Sequence, residues 1–116
     1  MFYGCRRKNP TISFAIPVHN EHEEIDRLLT QLVKYKKAED EIVVQCDQGN
    51  TTSNVYQVLE KYKNQIRVIE FPLNRDFATF KNNLKNNCKG DWVFQIDADE
   101  IPDEYLIDTV HYFLKE

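Results

Sequence analysis

A chain of 116 residues, 41% apolar and 29% charged, is one soluble-type domain with room for a single core. Its net charge of −4 argues against nucleic acid or an anionic membrane as the main partner, so a polyphosphate ligand would need a bridging cation. No apolar stretch approaches membrane-spanning length, and Cys5, Cys46 and Cys88, widely spaced and without a C-x-x-C pattern, read as reduced thiols of a cytoplasmic protein.

Residues 1–10 read as an N-terminal arm with no signal-peptide core, its Arg6-Arg7-Lys8 cluster solvated. The domain proper spans 11–116. Thr11 to Val18 is nearly all apolar, as expected of a strand buried on both faces. A helix follows, opened by an Asn20…Glu23 capping box, with Ile25, Leu28, Leu29, Leu32 and Val33 on its inner face. Acids in its first turns and lysines in its last suit the helix dipole. Glu41 to Asp47 is a second short apolar run that ends in an acid. After the turn Gln48 to Ser53, a second helix places Val55, Val58, Leu59 and Tyr62 at helical spacing. Ile66 to Phe71 is a third strand, stopped by Pro72. Asp76 caps a third helix with Phe77, Phe80, Leu84 and Cys88 inward, and Gly90 is expected as its left-handed closing residue. The fourth strand, Trp92 to Ile96, runs into Asp97-Ala98-Asp99-Glu100. Pro102 starts a last helix with Leu106, Val110, Phe113 and Leu114 inward.

Strand and helix alternate throughout. That pattern predicts an α/β fold: a Rossmann-like, mostly parallel sheet of about four strands, flanked by helices and joined by right-handed crossovers. Ligands of such sheets sit outside the carboxyl ends of the strands, where the strand order reverses. Three polar clusters fall at that rim: His19-Asn20-Glu21, Asp47-Gln48-Gly49 and Asp97-Ala98-Asp99.

Asp97 and Asp99, at strand spacing, would project to one side and offer oxygens to a hard cation while Ala98 points away. A solvated turn is the plainer reading of the same four residues. Glycine helps to decide. With only Gly4, Gly49 and Gly90, the chain can build neither G-x-G-x-x-G nor a Walker A loop. A diphosphate would therefore be neutralised through a divalent ion on the carboxylates and not by backbone amides.

Four segments then fit a known pattern in the right order. Ile16-Pro17-Val18-His19-Asn20-Glu21 resembles P-x-Y-N-E, and Ile42 to Thr51 resembles I-V-V-D-D-G-S-x-D. Asp76 to Asn83 and Gly90 to Glu100 resemble D-F-A-x-x-R-N and G-D-W-V-x-x-L-D-A-D-E. Together they resemble the N-terminal, nucleotide-sugar-binding part of an inverting family 2 glycosyltransferase of the GT-A fold, in the branch that builds lipopolysaccharide core and similar surface glycans. The resemblance implies a nucleotide-diphosphate sugar as donor, typically a UDP-sugar, and a glycan or lipid-linked acceptor. It implies that Asp47 receives the ring N–H of the base, that Pro17, His19 and Glu21 border the nucleoside, and that Asp97 approaches the ribose or a metal-bound water. Asp99, with Asp97, would hold Mn²⁺ or Mg²⁺, and Lys81 or Arg75 would help to neutralise phosphate.

The chain departs from the pattern at His19, where tyrosine is usual, at Cys46, where an acid is common, and at Lys81, which replaces a forked arginine. It also reaches Glu116 before the region that, in the family, supplies the acceptor site and the carboxylate base, so no general base is assigned. A non-catalytic nucleotide-sugar-binding remnant, or half of a split transferase, is therefore the second reading. A receiver-type signalling domain is a distant third, since no acidic pair follows the first strand. His19 and His22 with Glu23 could suggest zinc, but no third ligand is near in sequence. Self-association, or pairing with a complementing chain, is expected at an exposed sheet edge, and peripheral association with the inner face of a membrane fits a lipid-linked acceptor.

Overall fold

The computed structural model describes residues 2–4, 10–100 and 107. In chain order the elements are β1 (Phe2–Gly4), β2 (Ile12–Val18), α1 (His22–Tyr35), β3 (Glu41–Asp47), α2 (Ser53–Lys61), β4 (Arg67–Phe71), α3 (Phe77–Asn86) and β5 (Trp92–Gln95). The helix predicted from Pro102 lies outside the described residues, apart from Ile107, which is helical and buried. So do Cys5 and the Arg6-Arg7-Lys8 cluster.

The sheet has the order β1-β5-β2-β3-β4, with β5, β2, β3 and β4 parallel and β1 antiparallel on the edge of β5. This is the expected Rossmann-like parallel sheet. One strand is added from residues that sequence patterning leaves in the arm: Phe2–Gly4 pairs with Trp92–Phe94. Three residues carry too little periodicity to declare a strand, and only the open edge of β5 gives them hydrogen-bond partners.

Side-chain alternation sends two sets of residues to opposite faces. Ile12, Phe14, Ile16 and Val18 of β2 and Ile42, Val44 and Cys46 of β3 join Ile25, Leu28, Leu29 and Leu32 of α1 and Val55 and Leu59 of α2 in the main core. Ala15, Val43 and Val93 point the other way and pack with Leu84 of α3. Helices α1 and α2 therefore cover one face and α3 the other. The chain steps outward from β2 to β4 over the first face, then returns beneath the sheet to place β5 on the far side of β2. The strand order thus reverses between β2 and β5, and the carboxyl ends of these two strands open a crevice.

Hydrogen bonds from polar side chains join the elements. Gln45, fully buried on β3, donates to the Phe80 carbonyl and accepts from Asn83, each at 2.8 Å, which fixes α3 to the sheet. At the other end of the strands, Glu41 accepts from Ser13 Oγ, the Lys89 N–H and Arg67. Burial alone would raise the Glu41 carboxyl, but these donors outweigh it and hold it below its ordinary value. Cys46, buried in the core, is pushed up to about 11 by desolvation, so it packs as a neutral thiol.

Two local devices differ from expectation. Helix α1 has no Asn20 capping box: Glu21 is the N-cap residue, and its carboxylate accepts from the His19 and Asn20 N–H groups at 3.2 and 2.9 Å. Gly90 is not left-handed; among the described residues the left-handed ones are Gly49, Asn74 and Arg75. Gly90 is demanded by proximity. A Cβ there would stand 2.7 Å from both Ser13 N and Ser13 Oγ.

Candidate functional site

Four loops meet at the crevice, and hydrogen bonds tie three of them together. The Thr52 N–H donates to the His19 carbonyl at 3.2 Å, joining the loop after β3 to the loop after β2. The Gln48 N–H donates to the Phe71 carbonyl at 3.1 Å, and the Leu73 N–H donates to Asp47 Oδ1 at 3.0 Å, joining β3 to the loop after β4. In that last loop Asn74 and Arg75 both take positive φ, 47° and 60°, and the Asp76 N–H closes the turn on the Leu73 carbonyl. Asparagine tolerates this region, whereas for arginine it carries a cost of about 1 kcal/mol. The turn delivers Asp76 to the start of α3, where Oδ1 caps the Thr79 N–H at 3.1 Å and Oδ2 accepts from Thr79 Oγ1 at 2.7 Å. The Thr79 hydroxyl, then its N–H, holds the Asp76 carboxyl below its usual range.

Between these loops lies a cavity of about 510 Å³, lined by Pro17, Val18, His19, Glu21, Asp47, Leu73, Phe77, Phe80, Lys81, Asp97, Ala98 and Asp99. Seven of the eight residues singled out from the sequence (Pro17, His19, Glu21, Asp47, Lys81, Asp97 and Asp99) reach this one space. Arg75 is not among its lining residues. Asp47 is the deepest acid, its side chain 8% exposed, and its Oδ2 lies 3.6 Å from Nδ1 of the half-exposed His19.

Asp97 and Asp99 arrive by a different route from the one strand spacing suggests. Strand β5 ends at Gln95, and the acids sit on a turn in which the Glu100 N–H donates to the Asp97 carbonyl at 3.0 Å. Glu100 Oε1 accepts from the Asp97 N–H at 2.9 Å, so Glu100 braces the turn. Both aspartates are exposed on the cavity wall, while Ala98 between them is buried yet also borders the space.

Phe77 also departs from expectation. It is 65% exposed, at the cavity rim, because α3 begins beyond the ends of the strands and its first turn has no sheet beneath it. Burial starts one turn later at Phe80, whose ring lies 6.4 Å from that of Phe71. Sequence reasoning also missed Val18 and Leu73. No local pattern marks Leu73; its role comes from the contact of its backbone with Asp47.

The wall is electrostatically one-sided. Four carboxylates (Glu21, Asp47, Asp97 and Asp99) face Lys81 and a half-exposed histidine. A diphosphate would be repelled here unless a cation came with it. Among the described residues no group of three or more His, Cys, Asp or Glu side chains could enclose a metal ion. Magnesium-like ions commonly take only one or two carboxylates and complete their shell with water and phosphate oxygens. Two exposed aspartates on an open turn fit that kind of ion. Zinc is not supported, since His22 opens onto a separate depression with Asn54, Gln57, Val58 and Lys61, away from His19.

Residues 13–116 match the sequence model of Glycosyl transferase family 2. The poly(ribitol-phosphate) beta-N-acetylglucosaminyltransferase TarP of Staphylococcus aureus (strain N315) is 25% identical over 109 residues, covering 90% of this chain and 33% of that protein. The crystal structure of S. aureus TarS 1-349 in complex with UDP superposes with a TM-score of 0.70 at 26% identity, covering 89% of this chain and 32% of that one. The mannosyltransferase PcManGT from Pyrobaculum calidifontis, in complex with GDP-Man and Mn2+, shares the fold with a TM-score of 0.75 at 21% identity, over 92% of this chain and 32% of that one. The chain thus spans about a third of the length of the relatives it matches.

Proposed function

The chain belongs to glycosyl transferase family 2, and from that premise we propose that its crevice is the donor site of a nucleotide-diphosphate sugar, a UDP-sugar in the first instance. The observation that carries this reading is the convergence of seven motif residues on one cavity at the strand-order reversal. Asp47 accepts the ring N–H of the base, and Pro17, His19 and Glu21 wall the nucleoside. Asp97 takes the ribose or a metal-bound water. Asp99, with Asp97, holds Mn²⁺ or Mg²⁺, and Lys81 adds a positive charge beside the phosphates. When bound, the ion stabilises the charge that develops on a departing nucleoside diphosphate.

The reaction so served is transfer of the sugar, with inversion, to a glycan or lipid-linked acceptor by a protein working at the cytoplasmic side. No helix among the described residues is long and apolar enough to cross a membrane. All four cavity carboxylates have binding roles in this scheme, so the base for the acceptor hydroxyl comes from elsewhere. That favours, as a second reading, a chain that binds the donor without transferring by itself, as a non-catalytic nucleotide-sugar-binding remnant or half of a split transferase.

Calorimetric titration with UDP, with and without Mn²⁺, tests the site. Asp99→Ala is expected to abolish the metal-dependent part of the affinity. Asp47→Ala should weaken binding by roughly tenfold even without metal. Equal and small effects of the two would overturn the assignment. Release of UDP from a UDP-sugar by the chain alone would overturn the second reading.

A further inference from the structure

Two polar atoms face each other in the cavity with a gap between them. His19 Nδ1 and Asp47 Oδ2 are 3.6 Å apart, too far for a good hydrogen bond. The other oxygen of Asp47 is occupied by the Leu73 N–H at 3.0 Å, which fixes the carboxylate and leaves Oδ2 as its open acceptor. His19 is held as firmly at its backbone. Its N–H donates to Glu21 and its carbonyl accepts from Thr52. A lone pair on Nδ1 would be repelled by the carboxylate, so the ring turns a hydrogen on Nδ1 toward it. The wall therefore presents a donor beside an acceptor, both half-satisfied.

Resting on the reading that this cavity receives a nucleotide, we infer that His19 and Asp47 act as a pair that selects bases with a lactam edge, a ring N–H next to a ring carbonyl. Asp47 Oδ2 accepts from the ring N–H, and His19 Nδ1–H donates to the carbonyl. Uracil and guanine carry this edge. Cytosine and adenine turn an unprotonated ring nitrogen toward the carboxylate and an amino group toward the imidazole N–H, so both contacts become unfavourable. A buried acceptor set against a lone pair costs more than a contact merely missing. His19 is then a specificity-determining residue. The histidine that replaces the family's usual tyrosine supplies half of the base recognition.

The test is titration of the chain with UDP, GDP, CDP and ADP at one pH and one Mn²⁺ concentration, so that the shared diphosphate cancels in the ratios. Two contacts at about tenfold each predict that UDP or GDP binds about 100-fold more tightly than CDP and ADP. His19→Phe keeps a ring and removes the donor. It should lower UDP affinity about tenfold and shrink the UDP-to-CDP ratio by at least that factor. His19→Gln, which restores an N–H, should recover much of the ratio, as no loss of folding would. A His19→Phe chain with the wild-type ratio, or a wild-type chain indifferent to the base, overturns the pair. Failure of all four diphosphates to bind would remove the nucleotide reading itself, and the inference with it.

Discussion

Gly90 gives the sharpest test of how the sheet fits together. Alanine at this position places a methyl carbon 2.7 Å from Ser13 N and Oγ and 2.9 Å from the Ile12 carbonyl carbon. Ordinary contacts of this kind are more than half an ångström longer, and two of the three atoms belong to the backbone of β2, which has no rotamer to change. Overpacking of this sort costs about 1–3 kcal/mol, and a rigid backbone neighbour favours the upper end. The Gly90 N–H also donates to Ser13 Oγ at 2.8 Å, a bond worth about 1 kcal/mol that any separation would weaken. Loss of glycine's freedom in the unfolded chain returns about 0.5 kcal/mol. The net expectation is a loss of about 3 kcal/mol from a total of roughly 5–15. With a urea slope of about 1.5 kcal/mol per molar, the midpoint of unfolding, followed by Trp92 fluorescence, should fall by about 2 M. Gly49→Ala is the control. A Cβ there meets nothing within 4 Å, and only its φ of 82° is penalised, by about 1 kcal/mol. Equal midpoint shifts for the two substitutions would refute the steric argument.

Glu41 predicts an acid-sensitive sheet. Its carboxyl is held below its ordinary value of 4.5, so its contribution is present above that pH and is lost as pH falls through the folded value. Glu41→Gln should cost about 2 kcal/mol at neutral pH, and urea midpoints of wild type and variant should converge as pH falls below that ordinary value; a constant gap would count against the pairing with Ser13, Lys89 and Arg67. Phe77, being 65% exposed, should be replaceable by serine with a stability change within about 0.5 kcal/mol. A larger loss in thermal melting would mean that the ring is buried in solution.

The elements of this fold were legible wherever a long apolar period met a clear stop. The inner face of α1 and the paired strands Ile12–Val18 and Glu41–Asp47 follow directly from it. The site was legible for a related reason: its acids stand at strand ends, where an apolar run gives way abruptly to charge. What stayed hidden depended on distant contact. Phe2–Gly4 becomes a strand only because β5 has an open edge. Phe77 has the spacing of a core residue, and its exposure depends on where the sheet ends beneath α3. Gly90 carries the signature of a helix stop, but its reason lies 77 residues away in Ser13. The turn at Asn74 and Arg75 contains no glycine, so no composition signal announces two consecutive left-handed residues.

The placement of β5 beside β2 also orders events in time. Ser13 meets Glu41 across 28 residues, so β2, α1 and β3 can associate early and locally. The other side of β2 waits much longer. Thr11 and Asp91, which exchange hydrogen bonds at 2.9 and 3.1 Å, are 80 residues apart, and closing that loop gathers none of its reward until the end. During synthesis, the edge of β2 therefore stays open until the 80 residues from Thr11 to Asp91 have left the ribosome. His19 and Asp47 come together in the early half of the fold, whereas Asp97 and Asp99 join them only when the last strand docks. A ligand that needs both ends of the crevice will bind, and so protect, only chains that have completed this slow step.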